Sequence, residues 1–538
     1  MLKITPIPNR THHDAIVVGA GFAGLYMLYK LRELGLSALC FEGGDSVGGT
    51  WYWNRYPGAR CDIPSLEYSF SFSEELQQEW EWTERYPAQA EILRYLDHVA
   101  DRFDLRREIR FNTWIKSAHF DPASGLWIVT TDTGKTATAR YCIMATGALS
   151  ASRKPDFKGL DDFTGQWYHT GQWPHQPVDF AGQKVAVIGT GSSGIQVAPM
   201  IAAEAAELTI FQRTPNFSIP AWNHPLPQVA QNEWKKDYPR LRAAAKASRS
   251  GALYDYSQRG AFDIGADERQ AELDARWGRG GANFTHCFND LFRNKAANDI
   301  AADYVRDKIR AIVKDPAVAA LLMPTDHAIG TKRICVDTDY YAMYNRPNVK
   351  LIDVRATPIT RISATGIVTG AAEHAFDSIV FATGYDAVTG SLTRIDITGR
   401  SGVSLKDKWR DGPKSYLGIM VADYPNLFTI TGPGSPSILT NVVMAIEQHV
   451  EWVADCLADM SQQGAMLIEP EQSAEDDWVG HVAAIASQTL HVQANSWYMG
   501  ANVPGKPRVF LPYIGGLGTY TQICKEIAQD GYRGFAIR

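Results

Sequence analysis

Residues 184–194 read Lys184-Val-Ala-Val-Ile-Gly189-Thr-Gly191-Ser-Ser-Gly194. An apolar run that leads into Gly-x-Gly-x-x-Gly is typical of a buried parallel strand, a tight turn and a helix. Such a turn lets the backbone approach the pyrophosphate of a dinucleotide at the helix N-terminus. A single match is weak evidence, but a second turn with the same pattern lies near the start of the chain. The sequence therefore predicts two dinucleotide sites.

The turn near the start of the chain is Gly19-Ala-Gly21-Phe-Ala-Gly24, and it follows an apolar run over residues 15–18. A helix is predicted over residues 25–34 and a second strand over residues 38–41, directly before Glu42. A carboxylate about 20 residues beyond the glycines accepts hydrogen bonds from a ribose 2′-hydroxyl and repels a 2′-phosphate. We therefore expect this turn to bind FAD or NAD.

The turn at Gly189 is followed by a predicted helix over residues 195–208 and a strand over residues 209–211. Arg213 and Thr214 then occupy the position that Glu42 has in the first unit. A guanidinium and a hydroxyl suit a 2′-phosphate, so this turn is predicted to bind NADPH. The alternative is that Arg213 is a surface arginine that happens to follow a strand.

Length and composition limit the class of protein. A chain of 538 residues is too long for one hydrophobic core, and two or three domains are expected. The net charge of −6 gives no basic surface for nucleic acid. Residues 1–13 lack the apolar segment of a signal peptide, and no apolar run is long enough to span a bilayer. The seven cysteines are scattered without a Cys-x-x-Cys pair, which favours a reducing compartment and predicts a cytoplasmic protein.

An internal repeat divides the chain. Ala145-Thr-Gly147 and Ala382-Thr-Gly384 each follow an apolar run, one after each glycine-rich unit. We therefore predict an α/β fold with two Rossmann-like dinucleotide-binding domains and a helical insertion in the second. The predicted bounds are 1–150 and 385–538 for the FAD domain, 151–223 and 331–384 for the NADPH domain, and 224–330 for the insertion.

Three segments have no unique interpretation from spacing alone. The turn from Arg55 to Asp62 is either a solvated salt-bridged turn or part of a site. Lys332 and Arg333 are either a solvated basic pair or a phosphate ligand and a reactive-centre cation. The irregular segment that begins at Trp497 is either a lid over a ligand or a surface loop.

One constellation resembles a known family. Phe163-x-Gly165-x-x-x-His169-x-x-x-Trp173-Pro174, between two Gly-x-Gly-x-x-Gly turns, is similar to the fingerprint of type I Baeyer–Villiger monooxygenases. The segments Gly-Gly-Thr-Trp at 48–51, Arg-Cys-Asp at 60–62, Lys-Arg at 332–333 and Gly-Pro-Gly-Ser-Pro-Ser at 432–437 are also similar. The resemblance extends over nearly the whole chain.

The resemblance implies that NADPH reduces FAD, that O₂ forms a C4a-peroxyflavin, and that a ketone substrate becomes an ester or lactone. Arg333 would stabilise the peroxide and the adduct, and Asp62 would orient Arg333, so these two are the predicted catalytic residues. Trp497 would cover the nicotinamide cofactor. His169 is predicted to be a fingerprint residue, and a packed linker histidine explains it equally well.

The motifs and the resemblance together predict these cofactor-binding residues: Gly19, Gly21, Gly24, Glu42, Thr50, Trp51, Tyr52, Trp53, Arg60, Cys61, Asp62, Tyr68, Thr190, Gly191, Ser192, Ser193, Gly194, Ile195, Gln196, Arg213, Thr214, Lys332, Arg333 and Trp497. The loop at residues 437–439 and the Trp497 segment are expected to shape the ketone pocket.

Other functions are also compatible with the sequence. A flavin monooxygenase that oxidises sulfur or nitrogen would use a protonated peroxyflavin, and sulfides are possible substrates of the first interpretation too. A nucleotide-sensing protein without turnover would keep both glycine turns. A flavoprotein disulfide reductase is disfavoured because no closely spaced cysteine pair exists. The sequence leaves the ketone and the oligomeric state open, and it is compatible with a monomer.

Overall fold

The computed structural model describes residues 12–153 and 155–538. Most of the segment on which the prediction of no signal peptide rests, residues 1–11, lies outside the described residues. The helices are Phe22–Glu33, Thr50–Trp53, Glu74–Glu79, Gln89–Arg102, Ser192–Glu204, Gln228–Lys235, Tyr238–Ala247, Ala266–Arg279, Lys295–Ile312, Pro316–Leu322, Tyr340–Met343, Gly390–Thr393, Leu405–Lys408, Val442–Gln463, Gln472–Ser487 and Leu517–Gln529. None of those helices combines the length and the apolar character needed to cross a bilayer.

The first sheet is built around the apolar strand that precedes Gly19. Its strands lie in the order Asp396–Thr398, Ile115–Asp121, Leu126–Thr131, Thr136–Met144, His12–Val18, Ala38–Phe41 and Ile109–Arg110, and Leu427–Thr429 also pairs with Thr136–Met144. The strands beside His12–Val18 are parallel to it. The helices Phe22–Glu33 and Val442–Gln463 pack together on this sheet and bury one continuous apolar core.

The second sheet is parallel throughout the described residues. Its strands lie in the order Val349–Asp353, Glu207–Gln212, Lys184–Ile188, Ser378–Phe381 and Gln166–His169. The sequence block that contains His169 is therefore an edge strand of this sheet as well as a connection between the two sheets.

Three small sheets complete the strands. Ser218–Pro220 pairs with Cys335–Asp337, Ile468–Pro470 pairs with Phe535–Ile537, and Ile359–Ile362, Gly366–Thr369 and Glu373–Ala375 form an antiparallel sheet.

The segment over residues 224–330 is mainly helical, and its helices divide between two cores. Trp234 and Tyr254 pack on the core of the first sheet, whereas Leu273, Trp277 and Val305 belong to the core of the second. The segment thus contacts both dinucleotide units.

Both helices after the glycine turns begin earlier than the spacing predicted. The first runs over Phe22–Glu33 and the second over Ser192–Glu204, so Gly24 and Gly194 lie inside their first turns. The second helix also ends before residue 208, because Leu208 already belongs to the strand Glu207–Gln212. Apolar spacing missed the helix starts because small polar and glycine residues carry no periodic signal.

Candidate active site

The two glycine turns have the same construction. An ideal Cβ on Gly24 would lie 1.8 Å from the carbonyl oxygen of Gly19, and one on Gly194 would lie 2.2 Å from that of Gly189. A Cβ on Gly19 would lie 2.6 Å from the oxygen of Ala145, and one on Gly189 would lie 2.4 Å from that of Ala382. The Ala-Thr-Gly repeats thus close each turn from the neighbouring strand, which explains why they occur once per unit.

Each turn leaves a helix N-terminus open. Gly21 and Gly191 are the N-cap residues, and neither helix has a side-chain cap among the described residues. A Cβ on Gly191 would meet no atom within 4 Å, and one on Gly21 would meet only the backbone of Gly49 at 3.3 Å or more. The first N–H groups of both helices are therefore available to an anionic group such as a phosphate.

Glu42 lies directly after the strand Ala38–Phe41 and is buried. Its carboxylate accepts hydrogen bonds from the N–H groups of Ala20 at 2.7 Å and Gly44 at 2.8 Å. Burial raises the pKa of the Glu42 carboxyl, and the two N–H donors oppose that rise. The acid is held rigidly beside the first turn.

The predicted aromatic residues Trp51, Tyr52 and Trp53 form, with Thr50, a short helix that begins after Gly49. The indole N–H of Trp51 donates to the hydroxyl of Tyr68 at 3.2 Å, and both residues are buried. The Tyr52 hydroxyl donates to Asp45 at 2.7 Å. These contacts fix an aromatic wall beside the first glycine turn.

The turn that ends at Asp62 has contacts within the protein and is not simply a solvated turn. The guanidinium of Arg60 pairs with Glu84 at 2.6 Å and donates to the Tyr86 carbonyl at 2.8 Å, while Cys61 is buried. Asp62 points the other way, to Arg333. The structure therefore separates the three residues of this motif.

Arg333 is held by three hydrogen bonds. Its Nε and Nη2 atoms donate to the two carboxylate oxygens of Asp62, each at 2.7 Å, and its Nη1 atom donates to the Ile438 carbonyl at 2.7 Å. Burial opposes the charge of Arg333, but the Asp62 carboxylate outweighs it and raises the pKa of the guanidinium well above its ordinary value. Arg333 therefore stays cationic at neutral pH.

A cavity of about 120 Å³, which we call the Arg333 cavity, opens beside this pair. Asp62, Leu439, Tyr254, His491 and Tyr498 are among the residues that line it. The Tyr254 hydroxyl and the His491 Nδ1 atom are buried without a hydrogen-bond partner among the described residues. Such groups are costly unless a ligand satisfies them.

Several of the residues predicted at the second turn have contacts within the protein. Gln196 accepts a hydrogen bond from the Tyr56 hydroxyl at 2.8 Å and donates to the Arg60 carbonyl at 3.1 Å. Ile195 is buried in the core of the second sheet. Ser192 is exposed, and Ser193 is half-buried. Gln196 therefore links the second dinucleotide unit to residues 56 and 60 of the first.

The predicted phosphate ligands lie at the carboxyl edge of the second sheet. Thr214 accepts a hydrogen bond at its carbonyl from the Thr190 hydroxyl at 2.7 Å, and Arg213 is exposed and forms no ion pair with any described residue. Burial lowers the pKa of Lys332, the Asp326 carboxylate opposes that change, and Arg213 and Arg355 lower the pKa further by like-charge repulsion. Arg355 also pairs with Asp353 at 3.5 Å. Three cations thus lie near one another with two carboxylates beside them, and the remaining positive charge would be stabilised by a bound anion such as a phosphate.

His169 is buried and structurally engaged. Its Nδ1 atom accepts a hydrogen bond from the Gly171 N–H at 3.0 Å, so the proton of the neutral ring is on Nε2, 3.3 Å from the Thr383 hydroxyl. Burial lowers the pKa of His169 to about 4. These contacts connect the edge strand to the second Ala-Thr-Gly repeat.

The segment after Trp497 is docked on the protein. Trp497 packs on an apolar cluster that contains Ala387, Val388 and Ile438. Asn502 donates to the Tyr385 carbonyl at 2.7 Å, and Lys506 pairs with Asp386 at 2.6 Å. The segment therefore covers the turn that follows the strand Ser378–Phe381.

Comparison with known proteins identifies the family. The family model described as pyridine nucleotide-disulphide oxidoreductase matches residues 16–231. A Baeyer-Villiger monooxygenase from Pseudooceanicola batsensis is 43% identical over 525 residues, which cover 96% of this chain and 95% of the relative. This chain belongs to the Baeyer–Villiger monooxygenase family.

Solved structures agree with that assignment. The structure of oxidized steroid monooxygenase bound to NADP matches with a TM-score of 0.94 and 50% identity, over 98% of this chain and 99% of that one. The structure of OTEMO in complex with FAD and NADP matches with a TM-score of 0.95 and 40% identity, over 98% and 99% of the two chains. The predicted family, fold class and enzyme class are confirmed.

The matching family model is named for disulfide oxidoreductases, but the cysteines of this chain do not form a redox disulfide. All seven cysteines lie in the described part of the chain, and each is buried and free. The match therefore reflects the dinucleotide-binding units.

Sequence reasoning missed several residues of the site. Arg355 leaves its strand beside Arg213, since the strands that precede them are parallel neighbours with Gln212 opposite Asp353. A cation just beyond a parallel strand is a usable signal, because ligands bind at the carboxyl ends of such strands. Tyr254 gave no signal, because it lies in the helical insertion, far from every motif.

Proposed function

We propose that this chain catalyses the Baeyer–Villiger oxidation of a ketone with NADPH and O₂. Ketone, O₂, NADPH and a proton give an ester or lactone, NADP⁺ and water, so one oxygen atom enters the product and one leaves as water. The chain uses FAD and NADPH, as the sequence predicted. The relatives that contain FAD and NADP in their structures support this pair of cofactors.

The ion pair of Asp62 and Arg333 carries the proposal. It brings a fixed cation to a cavity between the two dinucleotide units, with both bonds at 2.7 Å. A guanidinium has five N–H donors, and three are used by Asp62 and Ile438. The remaining donors can stabilise negative charge on oxygen as it develops on a bound ketone.

The described residues fit the two cofactors. The first turn, its open helix N-terminus and the buried carboxylate of Glu42 suit an unphosphorylated ribose and a pyrophosphate, as in FAD. The second turn, with Arg213, Thr214, Lys332 and Arg355 beside it, suits a dinucleotide with a 2′-phosphate. Trp51, Tyr52, Trp53 and Tyr68 would form a wall of the flavin site.

FAD reduced by NADPH would supply activated oxygen at the Arg333 cavity. The chain itself would orient the ketone, hold positive charge beside its carbonyl oxygen, and exclude water through the docked segment after Trp497. Asp62 would keep the guanidinium in one orientation. We assign His169 a positioning role only, because its ring is fully engaged with Gly171 and Thr383.

We also propose a cytoplasmic location, because all seven cysteines are reduced and buried and NADPH is an intracellular cofactor.

The direct experiment incubates the purified protein with FAD, NADPH, air, cyclohexanone and, in parallel, a dialkyl sulfide. Ester or lactone is expected from the ketone. The Arg333→Ala variant should bind FAD, be reduced by NADPH and lose ester formation, while the matched control Arg361→Ala, an exposed arginine on another sheet, should retain it. Sulfoxide formation without ester would instead support an S-oxygenating enzyme, and wild-type ester formation by Arg333→Ala would contradict the role of Arg333.

A further inference from the structure

The Arg333 cavity has a second arginine, which the reaction does not require. Arg249 follows the helix Tyr238–Ala247 and lines the cavity, and it is exposed to solvent where the cavity opens. Its backbone is fixed, since its carbonyl accepts a hydrogen bond from the Leu517 N–H at 2.9 Å. The side chain forms no hydrogen bond or ion pair with any described residue.

The charges around Arg249 are not balanced by an acid. Asp62 is the acidic residue of the cavity lining, and both of its oxygens are occupied by Arg333. The surrounding protein lowers the pKa of Arg249, and Arg293 lowers it further by like-charge repulsion. Arg293 is also exposed and has no ion pair within residues 12–153 and 155–538.

The histidines of the cavity do not add to or cancel this charge at neutral pH. Burial lowers the pKa of His286 to about 3 and that of His491 to about 4, so both rings are neutral. Both values are lowered further by Arg249, which places its guanidinium near both rings. The cavity lining therefore has a fixed cation at Arg333 and an unpaired guanidinium at Arg249, and Arg293 lies outside the lining but close enough to act on Arg249.

We propose that Arg249, with Arg293, binds a carboxylate on the ketone substrate, so that the preferred substrates are keto acids. A guanidinium binds a carboxylate through two parallel N–H···O bonds, and an unpaired cation pair is stabilised by such an anion. The carboxylate would bind at the opening while the ketone carbonyl faces Arg333. This inference rests on the proposed function and specifies its substrate class.

The test compares two ketones that differ only in charge, 4-oxocyclohexanecarboxylate and its methyl ester, with NADPH consumption and product formation both measured. A charge-assisted contact predicts that kcat/KM for the acid exceeds that for the methyl ester by about tenfold to a hundredfold. Salt should raise the KM for the acid and leave that for the ester unaffected. In Arg249→Met, the ratio of the two kcat/KM values should fall to about one.

A matched control is Arg310→Met, an exposed arginine on the helix Lys295–Ile312 that pairs with Asp307. It should preserve the ratio. Equal use of both ketones by the wild-type protein, or an unchanged ratio in Arg249→Met, would overturn this inference and leave the proposed function intact. A higher KM for NADPH in Arg249→Met at an unchanged ratio would assign Arg249 to the cofactor and also overturn it. Failure to oxidise either ketone, or cyclohexanone, would overturn the proposed function itself.

Discussion

Asp62 and Arg333 lie 271 residues apart in the sequence and share two hydrogen bonds of 2.7 Å. Asp62 ends a turn beside the first dinucleotide unit, and Arg333 precedes the strand Cys335–Asp337 next to the second. The pair therefore fixes the cation of one unit to the carboxylate of the other. Any relative movement of the two units has to move or break this contact.

Replacing Asp62 by Asn tests the charge of that contact. The amide has one acceptor oxygen and places an NH₂ group against the guanidinium, so Arg333 loses a hydrogen bond and its orientation. Ester formation should fall at least about tenfold, equivalent to about 1.4 kcal/mol, while reduction of the flavin by NADPH is retained. Stopped-flow absorbance and product analysis separate the two. Glu84→Gln, which removes the nearby partner of Arg60, should leave ester formation within about twofold of wild type; an equal loss in both variants would contradict the specific role of Asp62.

Substitution of Gly24 should impair binding of FAD alone, and substitution of Gly194 should impair binding of NADPH alone. A Cβ on either one would meet a backbone oxygen, at 1.8 Å or 2.2 Å, and backbone cannot move aside as a flexible side chain does. Gly24→Ala should therefore purify colourless or weakly yellow. Gly194→Ala should stay yellow and show a KM for NADPH raised about tenfold or more. Each variant is the control for the other, and loss of flavin in both would argue against separate sites.

The cations at the edge of the second sheet predict selectivity for NADPH over NADH. Arg213→Ala and Arg355→Ala should each raise the KM for NADPH by about tenfold to a hundredfold, by loss of a charge-assisted contact worth about 1.5–3 kcal/mol, and leave the KM for NADH unchanged. The ratio of the two KM values is the measurement. Arg361→Ala, an exposed arginine in the same region of the sequence, is the control. A parallel rise for both nucleotides would mean that these residues do not contact the 2′-phosphate.

The glycine turns, the acid after the second strand and the two sheets were predictable because each depends on residues close in sequence. The repeat of Ala-Thr-Gly is also visible in the sequence, but the sequence does not show which residues it contacts. Only the structure shows that the backbone oxygens of Ala145 and Ala382 leave no room for a side chain at Gly19 and Gly189.

Contacts across the two units were not predictable from spacing. The link from Gln196 to Tyr56 joins residues whose separation carries no periodic signal, and the pairing of Asp62 with Arg333 followed from resemblance alone. Arg249 and Arg355 belong to no sequence motif, and both are exposed in the structure. Only tertiary packing at the cavity and strand order at the sheet edge give them neighbours that matter.

His169 predicts an acid-dependent loss of stability. Its pKa is lowered from 6.5 to about 4 by burial, so between these pH values the unfolded chain binds a proton that the folded protein does not. Stability is therefore full above pH 6.5 and is lost as the pH falls toward 4, by up to about 3 kcal/mol. His169→Asn keeps an acceptor for the Gly171 N–H and removes this titration.

Thermal midpoints measured from pH 7.5 to 5 provide the test. The decrease toward pH 5 should be smaller in His169→Asn than in the wild type, because the other buried histidines titrate in both. His119→Asn, an exposed histidine that contacts Asp396, should follow the wild-type curve. His169→Asn should also retain ester formation. Loss of ester formation in this variant at full cofactor occupancy would show that His169 takes part in the chemistry.

We expect the docked segment after Trp497 to couple NADPH consumption to product formation, because it limits the access of water to the site. Lys506 is only 12% exposed and holds the segment to Asp386 through a 2.6 Å ion pair. Lys506→Met keeps the aliphatic length but removes the charge, so the segment should dock less often and water should reach the site more readily. NADPH oxidation should continue while the fraction of electrons that ends as hydrogen peroxide rises several-fold. Parallel measurement of hydrogen peroxide and ester decides this, with the exposed Lys525→Met as control. An unchanged ratio of peroxide to ester would show that the Lys506 contact does not govern access of water to the Arg333 cavity.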